Sequence, residues 1–520
     1  MATKLRRIVI IKPTHYGPEG FATKFWYPFM PSPAPAFMKS RVSSYLQLQD
    51  LKRDIEVVTV DECAHTDLGY MKSLKSKYVG ETLVLVVSAQ SMQFHRALDL
   101  ANIAANNKSL AIIGGPHTMV CDTSMLHGRG ISFALAEAEL ILAQILDDAL
   151  QGFLHPVYGE GQRWAPNLDD IITEPPTPWE LKRYLLPMVG LYPARGCIFN
   201  CDFCSVIHIT GRKIRSQSVE IIVENLRMMD QARVRWVFIT SDDLNHLPQF
   251  RELLETIIQA RLKIGFMCTC DVTLSNDPEL IELMSKAGCF QIFFGVESLN
   301  PRDLKSIHKG QNLFKGKNLL ETYVALIKAC HSVGISVHFA NMIGFPDQTR
   351  ADILEHARMV RELKPDVISW YMMCPIPGSR QYQQYRDNGL LVEPNLDMYD
   401  TISLTWRHPK IPRNELQELL WRCGSETYRP SDMMRRVRNE FHKEGLKAAA
   451  EKAIFELYCT YSWRNQTHPM AGGLGKVNLD HVSQYIRARE ERFGYELVPL
   501  PNNRPLPTET RQLVQVATSA

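Results

Sequence analysis

The first 150 residues alternate between short, continuously apolar runs and segments whose apolar residues recur every three or four positions. The runs show no polar alternation, which is typical of strands buried on both faces of a parallel sheet. The intervening segments have the spacing of helices with one apolar face. The pattern predicts a doubly wound α/β domain over residues 1–150, with strands at Ile8–Ile11, Ile55–Val60, Leu83–Val87, Leu110–Ile113 and Ser132–Leu135 and helices at Tyr45–Lys52, Arg96–Asn106 and Leu140–Leu150.

A second alternation follows a stretch rich in glycine and proline. Residues 151–187 lack a periodic pattern and contain Glu174-Pro175-Pro176-Thr177-Pro178, which indicates a linker. From residue 188 to about 390, six βα units predict a parallel sheet, either doubly wound or a partial barrel. The predicted strands are Val189–Pro193, Trp236–Thr240, Ile264–Cys270, Phe290–Gly295, Ser336–Met342 and Val367–Met373, and the helices are Val219–Gln231, Phe250–Ala260, Pro278–Ala287, Leu319–Ser332 and Ala351–Leu363.

The strand signal fades after Pro377-Gly378. Asn414 is placed to cap a helix that carries several leucines, and Leu446–Tyr461 is a second helical run with an apolar face. We therefore predict a helical C-terminal domain over residues 391–498. Residues 499–520, with several prolines among polar neighbours, are predicted to be a flexible tail.

Composition excludes several classes of protein. A chain of 520 residues is too long for one small core, and 45% hydrophobic with 22% charged residues excludes general disorder. The net charge of +3 does not favour nucleic-acid binding. The basic N-terminus is followed by an apolar run that ends at Lys12-Pro13, too short for a signal peptide, and no 18-residue apolar stretch occurs. We expect a cytoplasmic protein, with peripheral membrane contact left open.

Three of the twelve cysteines lie within eight positions, as Cys197, Cys201 and Cys204. This C-x3-C-x2-C loop follows a predicted strand, and in a reducing compartment clustered cysteines are more often metal ligands than disulfides. Three thiolates can bind three irons of a cubane cluster and leave the fourth iron open. The alternative is a structural zinc knuckle, for which His208 is near enough to be the fourth ligand.

The cysteine spacing, with Phe203 before the last cysteine and a barrel strand before the loop, resembles the radical S-adenosylmethionine (SAM) superfamily. The resemblance implies a partial (β/α)6 barrel with a 4Fe-4S cluster on the three cysteines. It also implies that SAM is chelated by the open iron and cleaved by one electron to a 5′-deoxyadenosyl radical, with an external flavodoxin- or ferredoxin-type reductant. Phe203 would shield the cluster and pack near the adenine of SAM.

Later strand ends carry further matches to this superfamily. Thr240-Ser241-Asp242-Asp243 resembles the segment near the methionine amino group, although the usual Gly-Gly-Glu is absent, so Asp243 and less directly Asp242 are candidates. Gly295-Val296-Glu297-Ser298 matches the fourth-strand motif. Gly344-Phe345-Pro346 matches the turn after the fifth strand. The SAM-binding residues that the resemblance implies are Phe203, Asp243, Glu297, Ser298 and Gly344.

A doubly wound domain before such a barrel resembles the cobalamin-binding class of the superfamily. Ser88-Ala89-Gln90 and Gly114-Gly115-Pro116-His117 end neighbouring predicted strands, where open sheets bind ligands. The resemblance implies that Ser88, Gln90, Gly114, Gly115 and His117 contact cobalamin. The Asp-x-His-x-x-Gly motif that supplies a histidine below the cobalt is missing, so the sequence leaves open whether the cobalt has a protein ligand on its lower face. The acidic motif after the fifth strand becomes Ala136-Glu137-Ala138-Glu139.

The predicted function is that of a radical SAM C-methyltransferase. It would move a methyl group from methylcobalamin to a carbon of a small or lipidic metabolite. Two alternatives remain open at this point: a cobalamin radical SAM cyclase or rearrangement enzyme of tetrapyrrole type, and a non-enzymatic metal-binding protein. Cys268, Cys270 and Cys374 lie on or after barrel strands, where a thiol could reach the substrate or act only as a small apolar group.

Overall fold

The computed structural model describes residues 5–17, 21–65, 69–169, 172–314, 318–470, 472–476 and 498–506. Sixteen strands lie within these ranges. In chain order they are β1 Arg7–Lys12, β2 Phe25–Pro28, β3 Glu56–Asp61, β4 Thr82–Val86, β5 Leu110–Gly114, β6 Ser132–Ala134, β7 Val157–Tyr158, β8 Met188–Leu191, β9 Ala194–Arg195, β10 Arg215–Ser216, β11 Trp236–Ile239, β12 Gly265–Cys270, β13 Cys289–Glu297, β14 Ser336–Ile343, β15 Val367–Met372 and β16 Gly473–Lys476.

The α-helices of the same ranges are interspersed with the strands as far as β15, after which the last four follow one another. They are α1 Pro33–Leu48, α2 Gly69–Ser76, α3 Phe94–Asn106, α4 Pro116–Val120, α5 Ala138–Gln151, α6 Pro178–Leu181, α7 Val206–Ile209, α8 Val219–Gln231, α9 Phe250–Ala260, α10 Pro278–Lys286, α11 Pro301–Ser306, α12 Leu319–Ser332, α13 Arg350–Leu363, α14 Arg380–Asp387, α15 Arg413–Thr427, α16 Pro430–Glu444 and α17 Leu446–Arg464.

The N-terminal domain is the predicted doubly wound unit. Its parallel sheet has the order β3-β1-β4-β5-β6-β7. Alternate residues of β1 enter different cores: Val9 and Ile11 pack on the side of α3, whereas Ile8 and Ile10 pack on the side of α1 and α5. Both faces of the strand are therefore covered, which explains why its sequence is apolar without alternation.

Two boundaries of this domain differ from the prediction. Helix α1 begins at Pro33, with the Ser32 hydroxyl accepting the first cap bond, and therefore starts twelve residues before Tyr45. Its first half has little periodicity because four of its first five residues are proline or alanine. Strand β7 pairs with β6 and extends the sheet past residue 150 into the predicted linker.

The second sheet is the open half-barrel of the prediction. Its strands follow one another in sequence order, β8-β11-β12-β13-β14-β15, and all pairs are parallel. Helices α8, α9 and α12 have the predicted bounds. Buried and half-buried residues alternate strictly along β12, so one face of this sheet packs against the helices and the other forms the inner face of the half-barrel.

The C-terminal region contains α15, α16 and α17, as predicted in outline. Asn414 does not cap α15, because this helix begins at Arg413 and the cap position belongs to Pro412, so that prediction was wrong. The aromatic strand β2 pairs antiparallel with β16 and ties the N-terminal region to this part of the chain. Of the predicted domain 391–498, residues 471 and 477–497 lie outside the described residues.

The start of the predicted flexible tail is packed against both domains. The Arg504 N–H donates to the Val120 carbonyl at 2.7 Å, and the Tyr382 hydroxyl donates to the Pro501 carbonyl at 2.9 Å. Residues 507–520 of that prediction lie outside the described residues. No helix in the described ranges is both long enough and apolar enough to cross a membrane.

Candidate active site

The cysteine loop begins at a backbone position that requires glycine. Strand β9 ends at Arg195 and pairs antiparallel with β10. Gly196 then adopts a φ of +107°, and a Cβ there would lie 2.3 Å from the Lys213 carbonyl oxygen. The Cys197 N–H donates to the Gly211 carbonyl at 3.2 Å, which closes the loop on itself. The loop is therefore set by its backbone before any ligand binds.

The three thiols of this loop are buried or half-buried. Burial, followed by repulsion between neighbouring thiolates, raises the pKa of Cys204 to about 12, and burial raises that of Cys201 as well. Deprotonation here therefore needs a positive partner, which iron supplies when bound. The Gln311 amide donates to the Cys201 sulfur at 3.6 Å, a contact that can remain when the sulfur is a ligand.

The spacing of these thiols does not fit a zinc knuckle. Ligands of one tetrahedral zinc lie within about 3.8 Å of one another. Among the described residues, the only group of three or more such atoms within 4.8 Å of one another is elsewhere, so Cys197, Cys201, Cys204 and His208 do not converge on one ion. A cubane cluster distributes its ligands over separate irons and needs wider spacing. The donor set fits the cluster.

Asp243 lies beside the loop and has an unpaired carboxylate oxygen. It is 2% exposed, its Oδ1 has no hydrogen-bond partner, and its Oδ2 is 3.9 Å from the Cys197 sulfur. The ligand atoms of Asp243, His246 and Asp271 all lie within 4.8 Å of one another. Burial and then the charge of Asp271 raise the pKa of Asp243 to about 7. This pair of carboxylates fits a cationic group such as an amino group.

Sequence reasoning missed Asp271, although a signal for it existed. Asp271 directly follows β12, so it stands at the same carboxyl edge as Asp243 after β11. The rule that barrel enzymes build their sites at this edge applies to it equally. No motif of the resemblance covers the position, so the sequence resemblance does not point to Asp271.

Glu297 and Phe203 meet at one lysine. Lys309 donates to Glu297 Oε1 at 2.8 Å, and its ammonium lies 5.7 Å from the centre of the Phe203 ring. Glu297 ends β13 with a φ of +61°, where the register with β14 shifts. The structure thus brings two predicted SAM-binding residues to one side of the cysteine loop, joined by a residue that was not predicted.

Ser298 and Gly344 are also brought together, but their polar groups are already used. Asp303 Oδ2 accepts from the Ser298 hydroxyl at 2.9 Å and from the Gln348 amide at 2.8 Å. Gln348 in turn accepts from the Gly344 N–H at 2.9 Å. This buried network holds the turns after β13 and β14 together. The predicted contact of Ser298 and Gly344 with SAM stays a prediction.

A second feature is a cavity of about 420 Å³ between the two sheets. Gly115 has a φ of +133°, and a Cβ there would lie 2.3 Å from the Ala89 nitrogen, so the turn after β5 tolerates only glycine. The N-terminal domain lines the cavity with Ser88, Gln90, Gly114, Gly115, Glu137 and Glu139, and the half-barrel lines it with Tyr192, Arg195, Thr210 and Asp242, among others.

His117 does not line this cavity. The structure places it in the core behind the turn, where its ring stacks on Phe94 with centroids 3.9 Å apart and its Nδ1 is 3.0 Å from the Ser91 hydroxyl. Burial lowers the pKa of His117 to about 3, so the ring is neutral. The predicted contact of His117 with cobalamin is therefore not supported by its position, whereas Ser88, Gln90, Gly114 and Gly115 do reach the cavity.

The wall between the cavity and the cysteine loop is charged and paired. Glu137 accepts from Arg215 at 2.8 Å and contacts Arg195 at 3.2 Å, and Arg195 also donates to Glu139 at 2.6 Å. Burial alone would raise the pKa of Glu137, but these arginines outweigh it and hold the pKa below its ordinary value. Both glutamates of the motif Ala136-Glu137-Ala138-Glu139 are therefore ion-paired with Arg195, the residue before Gly196.

The other barrel cysteines do not face the inner side of the half-barrel. Cys268 and Cys270 are buried with the helices on the outer face of β12, and their sulfurs are 4.0 Å apart. Met267 and Thr269 alternate with them on the inner face. Cys374 is buried against residues of the N-terminal domain. Their positions fit the interpretation of these thiols as packing groups.

Comparison with known proteins agrees with this site. Residues 191–360 match the radical SAM superfamily. The bacteriochlorophyllide d C-12(1)-methyltransferase of Chlorobaculum tepidum is 24% identical over 372 residues, which are 69% of this chain and 77% of that protein. The hopanoid C-2 methylase of Rhodopseudomonas palustris is 21% identical over 459 residues, 83% of this chain and 78% of that protein.

Among solved structures, the fold resembles TsrM from Kitasatospora setae, a radical SAM methyltransferase whose structure contains cobalamin and a 4Fe-4S cluster. The TM-score is 0.59 at 13% identity, with 89% of this chain and 99% of TsrM covered. The predicted fold class and the predicted radical SAM domain are thereby confirmed. Residues 191–360 therefore form a radical SAM domain, and the chain as a whole shares the fold of TsrM.

Proposed function

We propose that this protein is a cobalamin-dependent radical SAM methyltransferase that methylates a carbon of a small or lipidic metabolite. The observation that carries the proposal is the cavity whose walls come from both domains. A corrinoid held there would lie between the carboxyl edge of the first sheet and the cysteine loop of the second. The methyltransferase names of relatives that span most of the chain support the same activity.

The residues around the cysteine loop have separable tasks in this proposal. When bound, the cluster and SAM supply a 5′-deoxyadenosyl radical, and cobalamin supplies the methyl group. Asp243 and Asp271 offer carboxylate oxygens to the amino group of SAM. Phe203, backed by Lys309 and Glu297, offers an aromatic face next to the loop.

The inner face of the half-barrel supports an apolar substrate. A substrate bound there would cover the half-buried side chains of this face. Along β11 and β12 and in the middle of β13, these side chains carry no formal charge. They include Phe238, Met267, Thr269, Gln291 and Phe293. Aromatic rings and a thioether favour a ligand with a planar or aliphatic body and few charges.

A one-electron reductant of the flavodoxin or ferredoxin type and a reducing compartment belong to the proposal. All twelve cysteines of the chain are free thiols. Such a set, with two of the three proposed cluster ligands only half-buried, suits an environment that keeps thiols reduced.

The test is anaerobic reconstitution with iron, sulfide and hydroxocobalamin, followed by incubation with SAM and a low-potential reductant. We expect two products from SAM: 5′-deoxyadenosine from the radical step and S-adenosylhomocysteine from methyl donation. The second product should depend on added hydroxocobalamin. Reactions without hydroxocobalamin serve as the control.

The outcomes separate the alternatives. A cyclase or rearrangement enzyme would release 5′-deoxyadenosine without cobalamin-dependent S-adenosylhomocysteine. A non-enzymatic metal-binding protein would release neither product. Extracts of a strain that lacks the gene then supply candidate substrates, and a mass gain of one methylene in the product identifies the methyl acceptor.

A further inference from the structure

The Asp242 carboxylate has both oxygens occupied. Oδ2 accepts from the Gly196 N–H and from the Thr210 hydroxyl, each at 2.7 Å, and Oδ1 accepts from the Tyr192 hydroxyl at 3.1 Å. Asp243, the next residue, differs because its Oδ1 has no partner. Of the two neighbouring carboxylates, only Asp243 has an oxygen left for a ligand.

The donors to Asp242 enclose the cysteine loop. Gly196 directly precedes Cys197, and Thr210 is the C-cap residue of the short helix α7 that follows Cys204. The Cys197 N–H also donates to the Gly211 carbonyl, which joins the same two ends. One carboxylate therefore fixes both ends of the segment that carries all three cluster ligands.

The same carboxylate belongs to the wall of the cavity. Tyr192, Thr210 and Asp242 all line it, beside Arg195, which the N-terminal domain holds through Glu137 and Glu139. The Asp242 carboxylate thus connects the cysteine loop to the cavity wall through hydrogen bonds.

We propose that Asp242 is a positioning residue that fixes the cysteine loop against the cavity wall and does not contact SAM. This rests on the proposed radical SAM function but not on methyl transfer. Its physical basis is that groups which orient metal ligands control where the bound cluster presents its open iron. A small displacement of the loop leaves SAM bound but misaligns the bond that must break.

The first test compares Asp242→Asn with Asp243→Asn in the full chain after cluster reconstitution. We expect Asp242→Asn to keep its iron content and the KM for SAM but to lower kcat for 5′-deoxyadenosine release by at least about tenfold. The g values of the reduced cluster with SAM, measured by electron paramagnetic resonance, should also shift. Asp243→Asn should instead raise the KM for SAM.

The second test removes the donors one at a time. Thr210→Val and Tyr192→Phe each delete one hydroxyl, and we expect both to shift the g values and lower kcat in the same direction as Asp242→Asn. Thr210→Ser keeps the hydroxyl and should restore the wild-type spectrum. Tyr184→Phe is the matched control, because its hydroxyl donates to Asp61 at 2.8 Å, away from the loop.

Two results would overturn the proposal. A raised KM for SAM with unchanged kcat in Asp242→Asn would make Asp242 a SAM contact. Unchanged g values and kcat in Thr210→Val and Tyr192→Phe, with full cluster content, would show that the carboxylate does not position the loop, even if Asp242→Asn itself fails to fold. Because no readout needs cobalamin or the methyl acceptor, failure of the methyltransferase proposal would be seen separately.

Discussion

The two sheets of this protein build their ligand-binding edges in different ways. The N-terminal domain forms its part of the cavity mainly with backbone turns and apolar side chains, above all the Gly114-Gly115 turn, where a Cβ on Gly115 cannot fit, and its glutamates Glu137 and Glu139 are ion-paired. The half-barrel places ionisable groups at its edge, including three thiols and the carboxylates of Asp243 and Asp271. In the proposed function, the first edge would therefore select its ligand mainly by shape, whereas the second would provide charge and metal ligands.

The largest expected effect comes from removing a cluster ligand. Cys201→Ala should abolish release of 5′-deoxyadenosine, because the loop would lose one of three iron ligands. Hydroxocobalamin uptake, measured by absorbance after gel filtration, should be retained, because none of the described residues that line the cavity is a cysteine. Cys268→Ala, which deletes a buried thiol of the outer face, should keep the cluster. If Cys201→Ala loses hydroxocobalamin uptake as well as 5′-deoxyadenosine release, the two edges do not function separately.

A smaller effect is expected where the two edges meet. Glu137→Gln should lower the free energy of unfolding by about 3 kcal/mol, because Arg195 and Arg215 are left near a neutral side chain in a buried interface. The pKa of Glu137 is depressed in the folded protein. The stabilisation should therefore be full above the ordinary glutamate pKa of about 4.3 and should disappear as pH falls through the lower folded value.

The measurement is denaturant unfolding of both proteins across that acidic range. The difference in unfolding free energy between wild type and Glu137→Gln should shrink as the pH falls. Glu282→Gln, which removes an exposed ion pair with Lys286, is the matched control and should leave stability unchanged. A difference that is constant with pH would exclude the ion pairs of Glu137 as its cause.

Gly115→Ala tests the edge that depends on shape. We expect the free energy of unfolding to fall by about 1–3 kcal/mol from the backbone conformation alone. The new Cβ would also clash with the Ala89 nitrogen and displace the turn. Hydroxocobalamin uptake should fall while cluster content is maintained. Gly69→Ala, where a Cβ meets nothing within 4 Å, should change neither property. Uptake equal to wild type in Gly115→Ala would contradict the assignment of the cavity.

The smallest effect is expected at His117. No histidine lines the cavity within the described ranges, so bound cobalt(II) cobalamin should show no hyperfine splitting from a protein imidazole nitrogen in electron paramagnetic resonance. His117→Gln should leave this spectrum unchanged. Nitrogen splitting that disappears in His117→Gln would place this ring on the cobalt and would contradict the position described above.

Most elements of the fold could be predicted because their signals are local. The continuous apolar run Leu83–Val87 matches a strand that is buried on both faces, and the apolar spacing of α8 matches a helix that packs on a sheet with one face. Both sheets could therefore be predicted. Helix α1 was placed too late because its proline- and alanine-rich start lacks an apolar period. Strand β2 was missed because its partner β16 lies more than 400 residues away along the chain.

The sequence alone determined the chemistry of the half-barrel edge, because the cysteine spacing places three thiols on one loop whatever surrounds it. It also determined the glycine turn of the N-terminal edge. Only the tertiary structure decided which neighbours these groups have. Asp242 and Asp243 are the same residue type at adjacent positions, yet one is saturated by three donors and the other has a free oxygen. Such differences depend on contacts between distant segments, which local sequence patterns do not encode.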